Sequence, residues 1–369
     1  MWRCSAPSSS IISEETFAKI SEVTLRAVEH HVRRRRVGDT APRVVEDYRG
    51  VIQILSDGTI VRSDPAVLRP PERFADVPGV QWEEVVYDAA HGLKLRVYRS
   101  AAAGAAGKLP VLVYFHSGGF CLGTFEQPNF HSGCLRLASE LPAVVLSADY
   151  RLGPEHRLPA AIDDAVAALS WLRGQAAALG SGAPHPWLAE SADFTNVFVA
   201  GESSGANMSH HVAVRRGSGQ LALDQLRIAG HVLLTPYFGG AERTAAEAAE
   251  PPEGAPFTPE MSDAMWRLSL PADATRDHPA ANPFGPDSPG LEPVVFPPVL
   301  VVSAGRDILH ERALRYAARL KGMGKPVELA VLEGQEHAFF SRQPWGAAAS
   351  ELIRVVKSFV HKGDGAECT

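Results

Sequence analysis

The sequence predicts an α/β fold in which a mostly parallel central sheet is flanked by helices. Three observations lead there. Strand-like and helix-like segments alternate along most of the chain, the order that βαβ units require. Residues 111–115 form an unbroken apolar run rather than an alternating one, as expected of a strand covered on both faces. Finally, Gly201, Glu202, Ser203, Ser204 and Gly205 form a Gly-x-Ser-x-Gly turn between an apolar run and a helix-like stretch.

In chain order, residues 14–32 carry Phe17, Ile20, Thr24, Ala27, Val28 and His31 at helical spacing, which predicts an amphipathic helix. Four arginines (33–36) and a Gly-Asp-Thr-Ala-Pro linker (38–42) follow it. Residues 1–42 therefore read as an extension and a candidate lid, ahead of a body at 43–362 and a short tail at 363–369. Within the body, runs at 51–55 and 59–62 flank Ser56-Asp57-Gly58, a hairpin signal. A proline-rich stretch (Pro65, Pro70, Pro71, Pro78) and a strand at 93–98 come next, and an Ala/Gly loop at 101–107 leads to the strand at 111–115. Further strands are expected near 143–148, 196–201, 228–235, 298–303 and 327–332, and helices near 130–140, 160–173, 204–215, 310–322 and 347–360. Residues 240–297 break the rhythm: they are rich in Ala, Glu, Pro and Gly, with one helix-like piece at 259–270, and read as a cap insert.

Composition narrows the function. The 369 residues are 45% hydrophobic and 21% charged, enough to bury a large core. A net charge of −6 argues against a nucleic-acid partner, which calls for a basic face. Cys4, Cys121, Cys134 and Cys368 are scattered without metal-type spacing, so neither a disulfide framework nor a metal is expected. No run of 18 apolar residues is present, and the first 13 residues lack the apolar core of a secretory signal. They also lack acidic residues, as plastid transit peptides do, but an acidic helix-like segment follows at once. The expected compartment is the cytoplasm, with the nucleus second and the plastid disfavoured. No oligomeric state follows from the sequence.

Ser203, centred between the two glycines, is the candidate nucleophile; Ser204 is not centred. A nucleophilic serine needs a base, and the base an orienting carboxylate, in the chain order Ser, acid, His, each after a strand. Asp307 follows the strand at 298–303, and His337 follows the one at 327–332. Of 14 histidines only His337 meets both order and position; Glu311 rivals Asp307 but lies a turn into the next helix. The oxyanion would rest on backbone amides. His116, Ser117, Gly118, Gly119 and Phe120 follow the strand at 111–115, so the expected donors are Gly118 and Gly119, with Ser204. If the amide of Ser117 also takes part, its side chain narrows the site.

Together these residues resemble the H-G-G-G (hormone-sensitive-lipase-like) branch of α/β hydrolases, and within it the plant carboxylesterases. The resemblance spans about residues 45–360 and rests on 116–120, 149–156 (Asp-Tyr-Arg-Leu-Gly-Pro-Glu-His), 201–205 and 282–286 (Asn-Pro-Phe-Gly-Pro). Glu46-Asp47, residues 53–59, 238–244 and 266–271 look most like the plant carboxylesterase 15 type. The resemblance implies an α/β-hydrolase fold with a helical cap, no cofactor, and hydrolysis of small to medium apolar esters or lactones through an acyl-enzyme. Strigolactone hormones are the specific substrate it suggests. It also implies that 149–156 is a buried structural loop. Glu202 stands where the family usually has Asp, a change expected to matter little. Phe120, Trp266 and Leu309, near strand ends or in the insert, are candidates for substrate contact. Two other functions occur on this branch: gibberellin receptors, which resemble it but have lost the catalytic histidine, and dehydratases acting on hydroxyisoflavanones. The presence of His337 argues against the receptor reading.

Overall fold

The computed structural model describes residues 41–64, 76–101, 107–180 and 182–362. The helix expected at 14–32, the arginine run, most of the extension, Cys4, Cys368, three of the prolines, most of the Ala/Gly loop and the tail lie outside these residues.

The described residues fall into two units. The first holds a three-stranded antiparallel sheet, β1 (Val44–Tyr48), β2 (Ile52–Leu55) and β3 (Ile60–Arg62). The expected hairpin joins β2 and β3, with Gly58 at φ 82° closing the turn through its amide to Leu55. The β1–β2 turn places both Arg49 (φ 52°) and Gly50 (φ 68°) in the left-handed region, the conformation that matches strand twist in a two-residue hairpin. The sequence reading missed β1, because its side chains are mostly exposed and give no alternating signal.

The second unit is built on an eight-stranded sheet in the order β11-β10-β9-β8-β6-β7-β5-β4. Strands β6 (Leu109–Phe115), β7 (Val144–Ala148), β8 (Ala192–Glu202), β9 (Ile228–Leu234), β10 (Val299–Ala304) and β11 (Val327–Leu332) are parallel. Strands β4 (Val80–Asp88) and β5 (Leu93–Ser100) add an antiparallel edge. Edge strand β4 was not foreseen; Trp82 and Val86 are exposed on it, so its residues do not alternate as half-buried ones do.

The apolar runs make sense in this sheet. Successive side chains point to opposite faces, so Val232 and Leu234 of β9, with Leu300 and Val302 of β10, enter one core. Their neighbours Leu233, Val299 and Val301 enter the other. The first core is closed by α1 (Pro128–Glu140) and α9 (Ala347–Val360), which contribute Leu135, Leu137, Leu352, Ile353 and Phe359. The second is closed by α4 (Ser204–Gly217) and α7 (His310–Gly322), through Ala206, Ala213, Tyr316 and Leu320. Helix α2 (Ala160–Ala177) packs beside α4, and the short α3 (Pro186–Ser191) leads into β8.

The stretch between β9 and β10 carries α5 (Ala245–Ala248) and α6 (Pro259–Ser269). Thr244 and Glu247 form a capping box at α5. Glu247 is buried and also accepts from Arg312 of α7 at 2.5 Å, while Arg312 donates to the carbonyls of Gly239 and Glu242. One satisfied buried ion pair thus ties the start of this stretch to the body. Cys121 and Cys134 are buried and form no disulfide with each other; Cys121 Sγ donates to the Met265 carbonyl at 3.6 Å, and burial pushes the Cys134 thiol up to about 12. None of the described helices is long and apolar enough to cross a membrane.

Three histidines sit inside the second unit. His210 accepts from or donates to the Tyr316 hydroxyl at 2.8 Å, His211 meets the Ala280 carbonyl, and His231 meets Ser209. Burial pushes His211 down to about 4, His231 down to about 3, and His210 down as well, so all three are neutral in the fold. The unfolded chain binds protons to them near pH 6.5. Their burial is therefore fully compatible with folding above that pH and opposes it as pH falls toward the folded values. Each histidine costs about 1.4 kcal/mol per pH unit below 6.5. Denaturant unfolding is expected to show a stability loss of roughly 3–4 kcal/mol between pH 7.5 and pH 5.5, and a flat profile over that interval would contradict it.

Candidate active site

The site begins with a backbone problem. Strand β8 ends at Glu202 and α4 starts at Ser204, leaving Ser203 alone to make the turn, at φ 56° and ψ −113°. The chain folds back so tightly that a Cβ on Gly201 would lie 2.3 Å from the Gly205 carbonyl carbon. One on Gly205 would lie 2.0 Å from the Phe115 carbonyl oxygen. The two glycines are therefore steric requirements of the turn, and the turn aims Ser203 Oγ away from the sheet.

The next strands bring two further side chains to that hydroxyl. Asp307 follows β10 and His337 follows β11, and the two loops are laced together by Gly305 N to Leu332 O (3.0 Å) and Arg306 N to Gln335 O (2.8 Å). His337 Nε2 lies 2.8 Å from Ser203 Oγ, and its Nδ1 lies 2.7 Å from Asp307 Oδ2. Asp307 Oδ1 accepts the Leu309 amide at 2.9 Å, which fixes the carboxylate plane. A neutral imidazole with its proton on Nδ1 satisfies both contacts and leaves Nε2 to accept from the serine. All three side chains are buried, at 3%, 4% and 6% exposure for Ser203, Asp307 and His337. Glu311, the rival acid, instead accepts the Ala246 amide and pairs with Arg315.

The loop after β6 lies across the turn. Gly118 and Gly119 have φ 131° and 60°, and the Gly118 carbonyl accepts the amides of Cys121 and Leu122. Among the described residues none accepts a backbone hydrogen bond from the amides of Gly118, Gly119 or Ser204. Tyr150 braces this arrangement: its hydroxyl donates to the His116 carbonyl at 2.9 Å and lies 3.3 Å from Ser204 Oγ. Ser117 turns its side chain to the Glu202 carboxyl. Burial raises the Glu202 pKa, opposed by hydrogen bonds from Ser341 and Ser117 and by the nearby His337.

The charged 149–156 segment is half a structural loop. Asp149 accepts from Thr124 and the Phe125 amide, and Arg151 makes paired hydrogen bonds to buried Asp164. Glu155 and His156, by contrast, are exposed.

The apolar candidates are placed differently from one another. Phe120 and Trp266 are buried in an aromatic cluster with Tyr237, on which Trp266 stacks at 4.1 Å. Trp266 also borders a cleft of about 660 Å³ with Arg157, Asp263 and Arg276, and that cleft includes none of Ser203, Asp307 or His337. Leu309 is buried, with its amide engaged by Asp307.

Phe257 and Met265, which the sequence did not single out, come closer. Phe257 stacks on the His337 ring at 4.3 Å. Met265 of α6 covers Gly119 so closely that a Cβ there would meet its sulfur at 2.2 Å. Tyr237 donates its amide to the Ser203 carbonyl and its hydroxyl to Ser262. Phe257 lies in an irregular Pro/Gly stretch that carries no periodic signal. The apolar spacing of α6 was legible, but not which of its side chains faces the oxyanion loop. Among the described residues no three His, Cys, Asp or Glu side chains converge as metal ligands.

Comparison with known proteins gives a consistent family. The profile of a family described as alpha/beta hydrolase fold matches residues 112–341. The gibberellin receptor GID1C of Arabidopsis thaliana is 36% identical over 300 residues, covering 77% of this chain and 82% of the receptor. Probable carboxylesterase 8 of the same plant is 35% identical over 315 residues, covering 84% of this chain and 91% of that protein. Among solved structures, the carboxylesterase EstE1, cloned from a metagenomic library, aligns with a TM-score of 0.66 at 27% identity. That alignment covers 82% of this chain and 98% of EstE1.

The turn itself is testable without any assay of activity. Gly205→Ala forces a methyl into the Phe115 carbonyl, and neither backbone can yield without breaking the β6–β8 pairing. A destabilisation of at least about 3 kcal/mol is expected, read as a lower denaturant midpoint. A midpoint unchanged from wild type would contradict this account of the turn.

Proposed function

Since this chain belongs to the α/β-hydrolase family, in a group that includes plant carboxylesterases and gibberellin receptors, we propose that it is a serine carboxylesterase working through an acyl-enzyme. The observation that carries this reading is the unbroken relay from Ser203 Oγ to His337 Nε2 and from Nδ1 to Asp307. In the proposed reaction Ser203 attacks the acyl carbon as its proton passes to Nε2. The tetrahedral oxyanion rests on the amides of Gly118, Gly119 and Ser204. The imidazolium, steadied by Asp307, then returns the proton to the departing alcohol. Water enters, gives its proton to Nε2, and attacks the acyl-enzyme; collapse frees the acid and restores Ser203.

The substrate class follows from what covers the site. Phe257 and Met265 are apolar and buried, which favours a small to medium, largely apolar ester or lactone. Strigolactone-type lactones are the specific proposal, supported by the sequence resemblance in 53–59, 238–244 and 266–271. A binding-only function, as the name of the similar receptor states for that protein, is the second reading. The contact between His337 and Ser203 weighs against it, since binding alone needs no base. A dehydratase would use the base but form no acyl-enzyme.

Two measurements separate these readings. A fluorophosphonate should label wild-type protein and not Ser203→Ala, and p-nitrophenyl acyl ester hydrolysis should fall by about 10⁴-fold or more in that variant. Failure of the wild type both to label and to cleave any such ester would refute the esterase. In the second, a synthetic strigolactone is incubated with each protein. Faster loss with wild type is expected, and equal loss in both would remove strigolactone as substrate while leaving the esterase intact.

A further inference from the structure

One helix covers both halves of the reacting centre. Met265 of α6 rests on Gly119, and its carbonyl accepts the Cys121 thiol of the same loop at 3.6 Å. Phe257 stands just before Thr258, whose hydroxyl accepts the Met261 amide at 3.3 Å and so caps α6. The Phe257 ring stacks on His337 with centroids 4.3 Å apart and planes 24° from parallel. Tyr237 meets Phe257 edge-on at 5.9 Å. Tyr237 is itself fixed: it stacks on Trp266, donates its hydroxyl to the Ser262 carbonyl at 2.7 Å, and donates its amide to the Ser203 carbonyl at 3.0 Å. His337 is followed by left-handed Ala338 (φ 53°) and by α8 (Phe339–Arg342). Both stacked rings are therefore braced, and Phe257, 8% exposed, is a wall of the site rather than a loose flap.

The proposed reaction gives the two sides of this wall different neighbours. The alcohol oxygen of the ester must lie within about 3 Å of His337 Nε2 to receive its proton. A ring stacked on that imidazole is thus beside the first carbons of the alcohol. The carbonyl oxygen turns instead to Gly118 and Gly119, on the loop that Met265 covers. The acyl chain takes the remaining tetrahedral direction, away from both contacts.

We propose that Phe257 is a specificity-determining residue for the alcohol half of the ester: the ring stacked on His337 sets how much bulk the leaving group can carry, and leaves the acyl chain to other walls. The proposal rests on the esterase reading. Removing the ring frees a phenyl-sized space beside Nε2, which an aromatic alcohol fills and a small one does not use. A ring that served only to pack the cap would, when removed, slow every ester alike.

The test compares kcat/KM for ethyl acetate and benzyl acetate, whose alcohols are of similar acidity, in full-length wild type, Phe257→Ala, Phe257→Leu and Met265→Ala. The benzyl-to-ethyl ratio within one protein cancels any loss of catalysis common to both esters. In Phe257→Ala that ratio is expected to rise about tenfold or more, and in Phe257→Leu about threefold. The hexanoate-to-acetate ratio of the p-nitrophenyl esters should stay within about twofold of wild type in both. An unmoved benzyl-to-ethyl ratio overturns the inference. So does an acyl ratio that moves as far, or a Met265→Ala variant whose benzyl-to-ethyl ratio rises as much as that of Phe257→Ala. Should Phe257→Ala not fold, the Phe257→Leu ratio decides. A wild type that cleaves none of these esters sinks the esterase reading and this inference with it, whereas an active wild type with unmoved ratios in the variants removes this inference alone.

Discussion

At Ser203 the chain passes from β8 to α4 in a backbone conformation that costs a non-glycine residue about 1–3 kcal/mol. It is held there from several sides. The Ser203 amide donates to Leu234 of β9, and its carbonyl accepts from Tyr237 and Asn207. The Asn207 side chain in turn bonds the carbonyls of Tyr237 and Ala280. Strand β8 is paired on both edges, by β6 and β9, and α4 is buried along most of its length. Release of the turn would undo all of these at once. The core thus holds one strained residue at the sheet's carboxyl end, and the neighbouring loops are arranged around the hydroxyl it presents.

Those loops show how placement of carboxylates decides what a buried histidine does. His210, His211 and His231 are enclosed with hydroxyl or carbonyl partners, and desolvation drives their pKa values down. They are packing residues with polar tips. His337 is also nearly enclosed, but a carboxylate stands 2.7 Å from its Nδ1. The other three environments keep imidazole neutral. The same residue type is a packing residue in one setting and a candidate for proton transfer in the other, by the charge of its neighbours.

How much of this was legible in the sequence depends on the range over which each feature is encoded. The α/β alternation, most of the parallel strands and the long helices are local and periodic, and the structure has them within a few residues of expectation. The Ser203 turn is local too, because its two glycines are required by a backbone crossing within five residues. Asp307 and His337 could be named from chain order and their position after strands. Strands β1 and β4 were missed because exposed or edge strands carry no clean alternation. The site's covering was missed for a different reason. Phe257 reaches His337 from an irregular stretch, and Ser117 meets Glu202 from a separate strand's loop. Such pairings depend on tertiary approach, so each residue taken singly looked like packing or a harmless substitution.

The family holds proteins named as esterases and as receptors, so fold and enclosed site alone do not divide turnover from binding. What can divide them is structure that binding does not need. Here the imidazole is held by Asp307 and by lacing between two loops, and a left-handed alanine follows it directly. The left-handed backbones of Ser203 and Ala338 each work against folding, by about 1–3 kcal/mol. A protein that only closed over a ligand would gain from relaxing both. Their joint presence on the two sides of one 2.8 Å contact has a physical use when a proton must leave Ser203. Costs concentrated on the reacting atoms, rather than on the pocket walls, favour hydrolysis over capture.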